Sequence, residues 1–191
     1  MMASPERAVV IGASAGAVEA LSALLRGLPA SYALPIVIVV HIPSDKKSAL
    51  VELFQRWCAI EVREAEDKEP IGPATIYFAP PDYHLLIEVD KSLSLSSDEP
   101  VLFSRPSIDV LFESAADAYG PSLVAIVLTG ANNDGAKGLR AVLDAGGEAI
   151  IQDPDNAFAS AMPMAAMAEC PDARILSLSE IALYLRDLGR T

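Results

Sequence analysis

The 191-residue sequence contains only two cysteines, Cys58 and Cys170. A disulfide framework or a cysteine-rich zinc site needs more of them, so both are excluded, and a reduced, cytoplasmic setting is expected. Basic residues are also few: 14 Lys and Arg stand against 26 Asp and Glu, for a formal net charge of −12. Because nucleic acids and anionic membranes attract the opposite charge, neither is expected as a main partner.

Long hydrophobic segments are lacking as well. The longest strongly apolar run, residues 33–40, is far too short to cross a bilayer, so no direct membrane insertion is expected. Residues 1–7 have no basic stretch followed by an apolar stretch, so no signal peptide is predicted there. Apolar residues still make up 52% of the chain, which predicts a globular domain with a buried core.

Short β-branched runs alternate along the chain with patterns of helical spacing. Strands are predicted at residues 8–11, 35–40, 74–79, 123–129, 148–152 and 174–177, a hairpin at 83–89 and 92–95, and helices at about 18–28, 47–57, 106–119, 136–145, 162–169 and 180–188. This order predicts an α/β fold over residues 1–191: a doubly wound, mostly parallel sheet with helices on both faces and an inserted antiparallel β-hairpin. In such folds the functional groups lie beyond the carboxyl ends of the strands.

The first predicted strand ends in a G-x-S-x-G pattern at residues 12–16. Between a strand and a helix this pattern is typical of a nucleophile elbow, in which Ser14 is presented on a sharp turn and the N–H groups that follow it, beginning with Ala15, face an oxyanion. The alternative is that Ser14 only caps the helix. A dinucleotide site is not supported, because Ser14 and Ala17 stand where glycines are needed.

Two more polar residues follow predicted parallel strands. His41 comes directly after the second strand, where it could serve as the base that activates Ser14, and Asp134 lies near the end of the strand at 123–129, where it could hold His41. The alternatives are a hydrogen-bonded loop histidine and a helix cap. The other histidine, His84, falls inside the hairpin and is the weaker candidate for the base, although it could line the site.

Three such residues at three strand ends predict a serine hydrolase more strongly than any one of them alone. The order Ser, His, Asp along the chain differs from that of the α/β-hydrolases and argues against that family. A metal site has little support, since His41 and Asp45 could be ligands but no H-x-x-x-H or C-x-x-C spacing occurs. No cofactor is expected.

Six motifs in order resemble the catalytic domain of the chemotaxis protein-glutamate methylesterases, the CheB family, over residues 7–188. They are 11–14 (IGAS), 39–43 (VVHIP), 78–85 (FAPPDYHL), 104–109 (SRPSID), 128–135 (LTGANNDG) and 152–163 (QDPDNAFASAMP). The resemblance implies hydrolysis of glutamate methyl esters on chemoreceptors or related signalling proteins, and deamidation of certain glutamines. It also implies a catalytic triad of Ser14, His41 and Asp134.

The sequence departs from the family pattern at several positions. Residues 15–17 read Ala-Gly-Ala where Thr-Gly-Gly is frequent, so a hydroxyl next to the nucleophile is missing. Ala131 and Asn132 replace a Met-Gly pair, although the backbone N–H of Ala131 can still serve an oxyanion, and Ala161 replaces a glycine. Only about seven residues precede the first strand, which leaves no room for a receiver domain and indicates a fragment or a free-standing relative.

The same residues and the same fold are compatible with other functions. A small-molecule carboxylesterase or amidase could use the same three residues, and a catalytically weak signalling relative or a non-catalytic binding domain could keep the same fold.

A protein substrate with acidic surroundings would need a local cation because the chain carries a charge of −12. Arg105 is the candidate, with a solvated arginine at a helix start as the alternative.

Overall fold

The computed structural model describes residues 5–41 and 49–190. Its strands are β1 (Ala8–Ala13), β2 (Ile36–Val40), β3 (Glu61–Glu64), β4 (Thr75–Phe78), β5 (His84–Ile87), β6 (Leu93–Ser96), β7 (Leu123–Val127), β8 (Glu148–Gln152) and β9 (Arg174–Leu176). Its α-helices are α1 (Ala17–Leu25), α2 (Leu50–Trp57), α3 (Ile108–Tyr119), α4 (Ala136–Asp144), α5 (Ala161–Glu169) and α6 (Leu178–Leu188).

Seven strands form one parallel sheet in the order β3-β4-β2-β1-β7-β8-β9. Strands β5 and β6 form a separate antiparallel hairpin. Helices α1, α2 and α6 cover one face of the sheet, and α3, α4, α5 and the hairpin cover the other. The predicted doubly wound α/β fold with an inserted hairpin is therefore confirmed.

The three central strands β1, β2 and β7 are buried along their whole length, as their unbroken apolar sequences require. Alternate residues face opposite layers: Val10 and Val39 join the core under α3, while Ile11 and Ile38 join the core under α1. Because β1 lies between β2 and β7, the carboxyl ends of these strands are neighbours at one edge of the sheet.

The sequence patterns do not predict strand β3. Three of its four residues, Glu61, Arg63 and Glu64, are charged, and only Val62 is buried. A charged strand of this kind suits the edge of a sheet, where one side stays unpaired, but its sequence carries little apolar signal. Its place depends on pairing with β4, which local patterns do not report.

Helix boundaries differ from the predicted ones by a few residues. Helix α3 begins at Ile108 instead of Pro106, because Ser107 is the N-cap and accepts a hydrogen bond from Val110 N. Helix α1 ends at Leu25, and α2 begins at Leu50, with residues 47–48 of its prediction outside the described ranges. Across the described ranges, no helix has both the length and the apolar composition to cross a bilayer.

Candidate active site

The turn between β1 and α1 has the geometry of an elbow. The backbone N–H of Ser14 donates to Thr129 O at 2.9 Å, which ties the turn to the end of β7. Gly16 has a φ of 84°, a left-handed conformation that glycine adopts without a steric cost. Gly16 is the N-cap of α1 and no side chain caps that helix, so the alternative that Ser14 is a helix cap is wrong.

His41 lies at the next strand end, beside this turn. Its backbone N–H donates to Ala13 O at 3.1 Å, which continues the pairing of β1 with β2 by one residue. Its side chain reaches across to the loop after β7, where Nε2 lies 2.7 Å from Asp134 Oδ2. The strand order therefore brings the ends of β2, β1 and β7 together with their three polar residues.

Asp134 is fully buried and its carboxylate accepts hydrogen bonds from four donors. They are His41 Nε2 at 2.7 Å, Ser107 Oγ at 2.9 Å, Ile108 N at 2.7 Å and Asp109 N at 2.9 Å. Burial alone would raise the pKa of Asp134, but the hydrogen bonds from His41, Asp109 and Ile108 outweigh it and hold that pKa below its ordinary value. Asp134 is thus an anion at neutral pH.

Asp134 does not cap the helix that it precedes. The N-cap of α4 is Gly135, which has no side-chain partner, so the predicted alternative of a cap for that helix is wrong. The carboxylate instead accepts the first backbone N–H groups of α3. A helix N-terminus carries a partial positive charge, which favours the ionised carboxylate.

The two ring nitrogens of His41 have different partners. Asn132 Oδ1 accepts the backbone N–H of Asp134 at 3.1 Å, so its Nδ2 is the group that lies 3.1 Å from His41 Nδ1. With the Asp134 anion on Nε2 and an amide N–H on Nδ1, the neutral ring carries its proton on Nε2. Nδ1 is then the basic nitrogen. No hydrogen bond joins His41 to Ser14 within the described ranges.

His84 has a different environment from His41. It is buried, its Nδ1 accepts the backbone N–H of Ser107 at 3.1 Å, and its Nε2 lies 3.0 Å from Glu99 O. A carbonyl can only accept, so Nε2 donates and the ring is neutral. His84 therefore supports the segment that carries Ser107, and it shares no hydrogen bond with Ser14, His41 or Asp134.

Asp109 is a second buried carboxylate next to Asp134. Its Oδ1 accepts the backbone N–H groups of Gly135 at 2.9 Å and of Gly138 at 2.7 Å, at the start of α4. Burial, followed by the charge of Asp134 and of Glu113, raises the pKa of Asp109 to about 6, against the opposing effect of these two hydrogen bonds.

Ala15 and Ala131 are the two residues predicted to donate backbone N–H groups to an oxyanion. The N–H of Ser14 is used by Thr129 O, whereas those of Ala15 and Ala131 donate to no group in the described part of the chain. The carbonyl of Ala15 accepts Thr129 Oγ1 at 2.8 Å, which steadies the turn. Ala15 directly follows Ser14, and Ala131 lies on the loop that leads to Asp134.

Arg105 is half-buried, and its Nη1 donates to the carbonyl oxygens of Ser97 at 3.0 Å and Asp98 at 3.1 Å. It holds the loop before α3 and keeps a positive charge two residues from Ser107. Asp45 lies outside the described residues, so the weak metal hypothesis with His41 has no geometry to test. Among the described residues, no group of three His, Cys, Asp or Glu side chains could hold a metal ion.

The sequence patterns do not predict Ser107, Asp109 or Asn132 as site residues. Each acts through a partner far away in the chain, Asp134 or His41 or the start of α4. The one local signal is Ser107, the second serine of the SRPSID motif, which is in a position typical of a helix cap. That signal predicts the cap of α3, but not the bond from Ser107 Oγ to Asp134.

The chain matches known proteins over nearly its whole length. The family model described as CheB methylesterase matches residues 9–185. The structure is similar to that of the Thermotoga maritima CheB methylesterase catalytic domain, with a TM-score of 0.90 and 31% sequence identity over 95% of this chain and 98% of that one.

Two curated relatives differ in how much of their length is matched. A protein of Leptospira interrogans is 46% identical over 180 residues, which cover 94% of this chain and 93% of that protein. The protein-glutamate methylesterase/protein-glutamine glutaminase of a Nocardioides species is 38% identical over 188 residues, which cover 96% of this chain but 51% of that protein. The Leptospira protein is named "Putative protein-glutamate methylesterase/protein-glutamine glutaminase".

Proposed function

Because the chain belongs to the CheB methylesterase family, we propose that it is a serine hydrolase that demethylates glutamate methyl esters of proteins and deamidates glutamine side chains. Methylated chemoreceptors or related signalling proteins are its substrates in this proposal. The free cysteines Cys58 and Cys170 suit a reducing, cytoplasmic setting. The observation that carries the proposal is the 2.7 Å contact of His41 Nε2 with Asp134, at the strand end next to Ser14.

The proposed reaction begins when Ser14 Oγ attacks the ester carbonyl carbon and its proton passes to His41 Nδ1. Nδ1 must first exchange its hydrogen bond from Asn132 for one from Ser14. Asp134 holds the Nε2–H tautomer and stabilises the imidazolium that forms. The backbone N–H groups of Ala15 and Ala131 stabilise the oxyanion.

Collapse of the tetrahedral intermediate breaks the bond between the carbonyl carbon and the methoxy oxygen. The His41 imidazolium returns its proton to that oxygen, and methanol leaves an acyl ester on Ser14. Water then gives a proton to His41 and attacks the acyl carbon. The bond from that carbon to Ser14 Oγ breaks, His41 returns the proton to Oγ, and the substrate keeps a glutamate side chain. With a glutamine side chain the leaving group is ammonia, and the remaining steps are the same.

The proposal is tested by methanol release from a methylated chemoreceptor protein with the wild type and with Ser14→Ala. Activity falls by several orders of magnitude, as expected for loss of a nucleophile. The free energy of unfolding changes by no more than about 1 kcal/mol, because a single hydroxyl on a half-buried turn is lost. Ser22→Ala in α1, away from the strand ends, is the matched control and keeps full activity.

A Ser14→Ala variant with turnover near that of the wild type would end the serine-hydrolase proposal. A wild type that hydrolyses small neutral esters in a Ser14-dependent reaction, but releases no methanol from methylated protein, would favour the small-molecule esterase.

A further inference from the structure

The segment before α5 presents an aromatic side chain next to the nucleophile turn. Phe158 is 83% exposed, although removal of a phenyl side chain from water is favourable. A Cβ built on Gly16 would lie 2.6 Å from Phe158 Cβ and 3.1 Å from its Cγ. The base of the phenyl side chain therefore contacts the backbone of the turn that carries Ser14, and its ring stands in solvent.

The backbone around Phe158 is held firmly to the site. Thr129 Oγ1 donates to Ala15 O at 2.8 Å and accepts Ala159 N at 2.8 Å, so one hydroxyl joins the nucleophile turn to the residue after Phe158. The backbone N–H of Gly130 donates to Ala159 O at 3.0 Å, and Met162 N donates to Gly130 O at 3.0 Å. Phe158 is thus placed by four hydrogen bonds that involve Ala15, the end of β7 and the loop after it.

An apolar contact allows this negatively charged molecule to bind a protein segment that its charge repels. The chain carries a net charge of −12, so a protein segment rich in carboxylates is repelled over the range of the Debye length. Burial of apolar surface does not depend on charge and is not weakened by screening. Because the backbone next to Phe158 is already held, only the side-chain torsions of Phe158 lose freedom when its ring is buried.

We infer that Phe158 is a substrate-recognition residue that packs against apolar side chains flanking the glutamate methyl ester on a protein substrate. The inference rests on the proposed function and adds the kind of surface that this site accepts: an ester with apolar neighbours on the same protein segment. A small ester without those neighbours has nothing to place against the ring.

The test compares the wild type and Phe158→Ala on two substrates, a methylated chemoreceptor protein and the γ-methyl ester of a blocked glutamate. KM for the protein rises about tenfold, as expected from the loss of roughly half a buried phenyl side chain. The value of kcat on the protein, and kcat/KM for the small ester, stay within about twofold of the wild type. The rise in KM is the same at low and at physiological salt, because an apolar contact is not screened.

The matched control is Val89→Ala. Val89 is 77% exposed and lies at the end of the β-hairpin opposite to His84, so its truncation removes exposed apolar surface away from Ser14. It leaves KM for the protein unchanged. Because Phe158 is exposed, Phe158→Ala keeps the thermal stability of the wild type, and Phe158→Leu, which restores apolar surface, recovers most of the loss in KM.

Equal changes on the two substrates, a loss confined to kcat, or an unchanged KM would each overturn the recognition role. These outcomes presuppose Ser14-dependent methanol release by the wild type. Its absence would instead refute the proposed function, so the two failures are distinguishable.

Discussion

Ser107 belongs to two hydrogen-bond systems at once. Its hydroxyl donates to Asp134 Oδ1 at 2.9 Å and accepts Val110 N at 3.4 Å as the N-cap of α3, while its backbone N–H donates to His84 Nδ1. We interpret Ser107 as a positioning residue, because it acts on His41 only through Asp134. A cap alone would affect stability, whereas a positioning residue also affects the chemistry.

Ser107→Ala is expected to lower kcat/KM for methylated protein about tenfold, mainly through kcat, because one hydrogen bond to the Asp134 anion is lost. With one donor fewer, the pKa of Asp134 is held down less strongly, so the acid limb of the pH profile of kcat/KM moves to higher pH. The measurement is a series of Michaelis curves from about pH 5.5 to 8.5.

Ser177→Ala is the control for the cap. Ser177 is the N-cap of α6, at another helix, and its loss costs about 1 kcal/mol of stability without a change in the pH profile. If Ser107→Ala loses only stability, as Ser177→Ala does, Ser107 is a cap and nothing more.

At the level of elements, the N-termini of helices α3 and α4 each donate backbone hydrogen bonds to a carboxylate on or next to the other helix. Asp134, before α4, accepts the first N–H groups of α3. Asp109, in the first turn of α3, accepts those of Gly135, the N-cap of α4, and of Gly138 in α4. Gly138 permits this close approach, since a Cβ there would lie 2.9 Å from Asp109 Cα. The Asp134 carboxylate is therefore held by the packing of two helices.

The raised pKa of Asp109 is expected to make the free energy of unfolding depend on pH. Its pKa is raised from 3.8 to about 6 in the folded protein, so folding is favoured when it is protonated. That contribution is complete below about pH 4 and is lost as the pH rises through about 6. Asp109→Asn keeps the acceptor oxygen but does not titrate, so relative to the wild type it gains about 2 kcal/mol in free energy of unfolding between pH 4 and 7.

The measurement is denaturant unfolding at several pH values, with Asp117→Asn on the exposed side of the same helix as control. The difference between Asp117→Asn and the wild type should stay constant across this range. A constant difference for Asp109→Asn as well would show that Asp109 keeps its ordinary pKa.

For the whole molecule, the charge of −12 opposes any acidic protein substrate. Arg105, in the loop that leads to Ser107, is the proposed local cation. Arg105→Ala is expected to raise KM for methylated protein about threefold at low salt and less at physiological salt, where screening weakens both attraction and repulsion. KM for a neutral small ester should not change.

Arg190→Ala removes the same charge from the end of α6, where Arg190 pairs with Asp187, and serves as the control for net charge. Equal effects of the two variants would assign the effect to the total charge of the protein. Because Arg105 also donates to Ser97 O and Asp98 O, equal changes on protein and small ester would assign its effect to the loop.

The sequence by itself determined every strand except β3, the helices, the hairpin and the strand ends near which Ser14, His41 and Asp134 lie. Those features follow from apolar periodicity and from turn residues, which act over short stretches of the chain. The parallel sheet followed too, because strands alternating with helices have few other ways to bury unbroken apolar runs such as that of β2.

Only the tertiary structure decided which groups surround those three positions. The pairing of the charged strand β3, the choice of Nε2 of His41 as the partner of Asp134, and the contact of Phe158 with Gly16 all join residues distant in the chain. His41 and Asp134 alone are 93 positions apart. Such contacts depend on strand order and on the packing of helix ends, and no local pattern of residues encodes them.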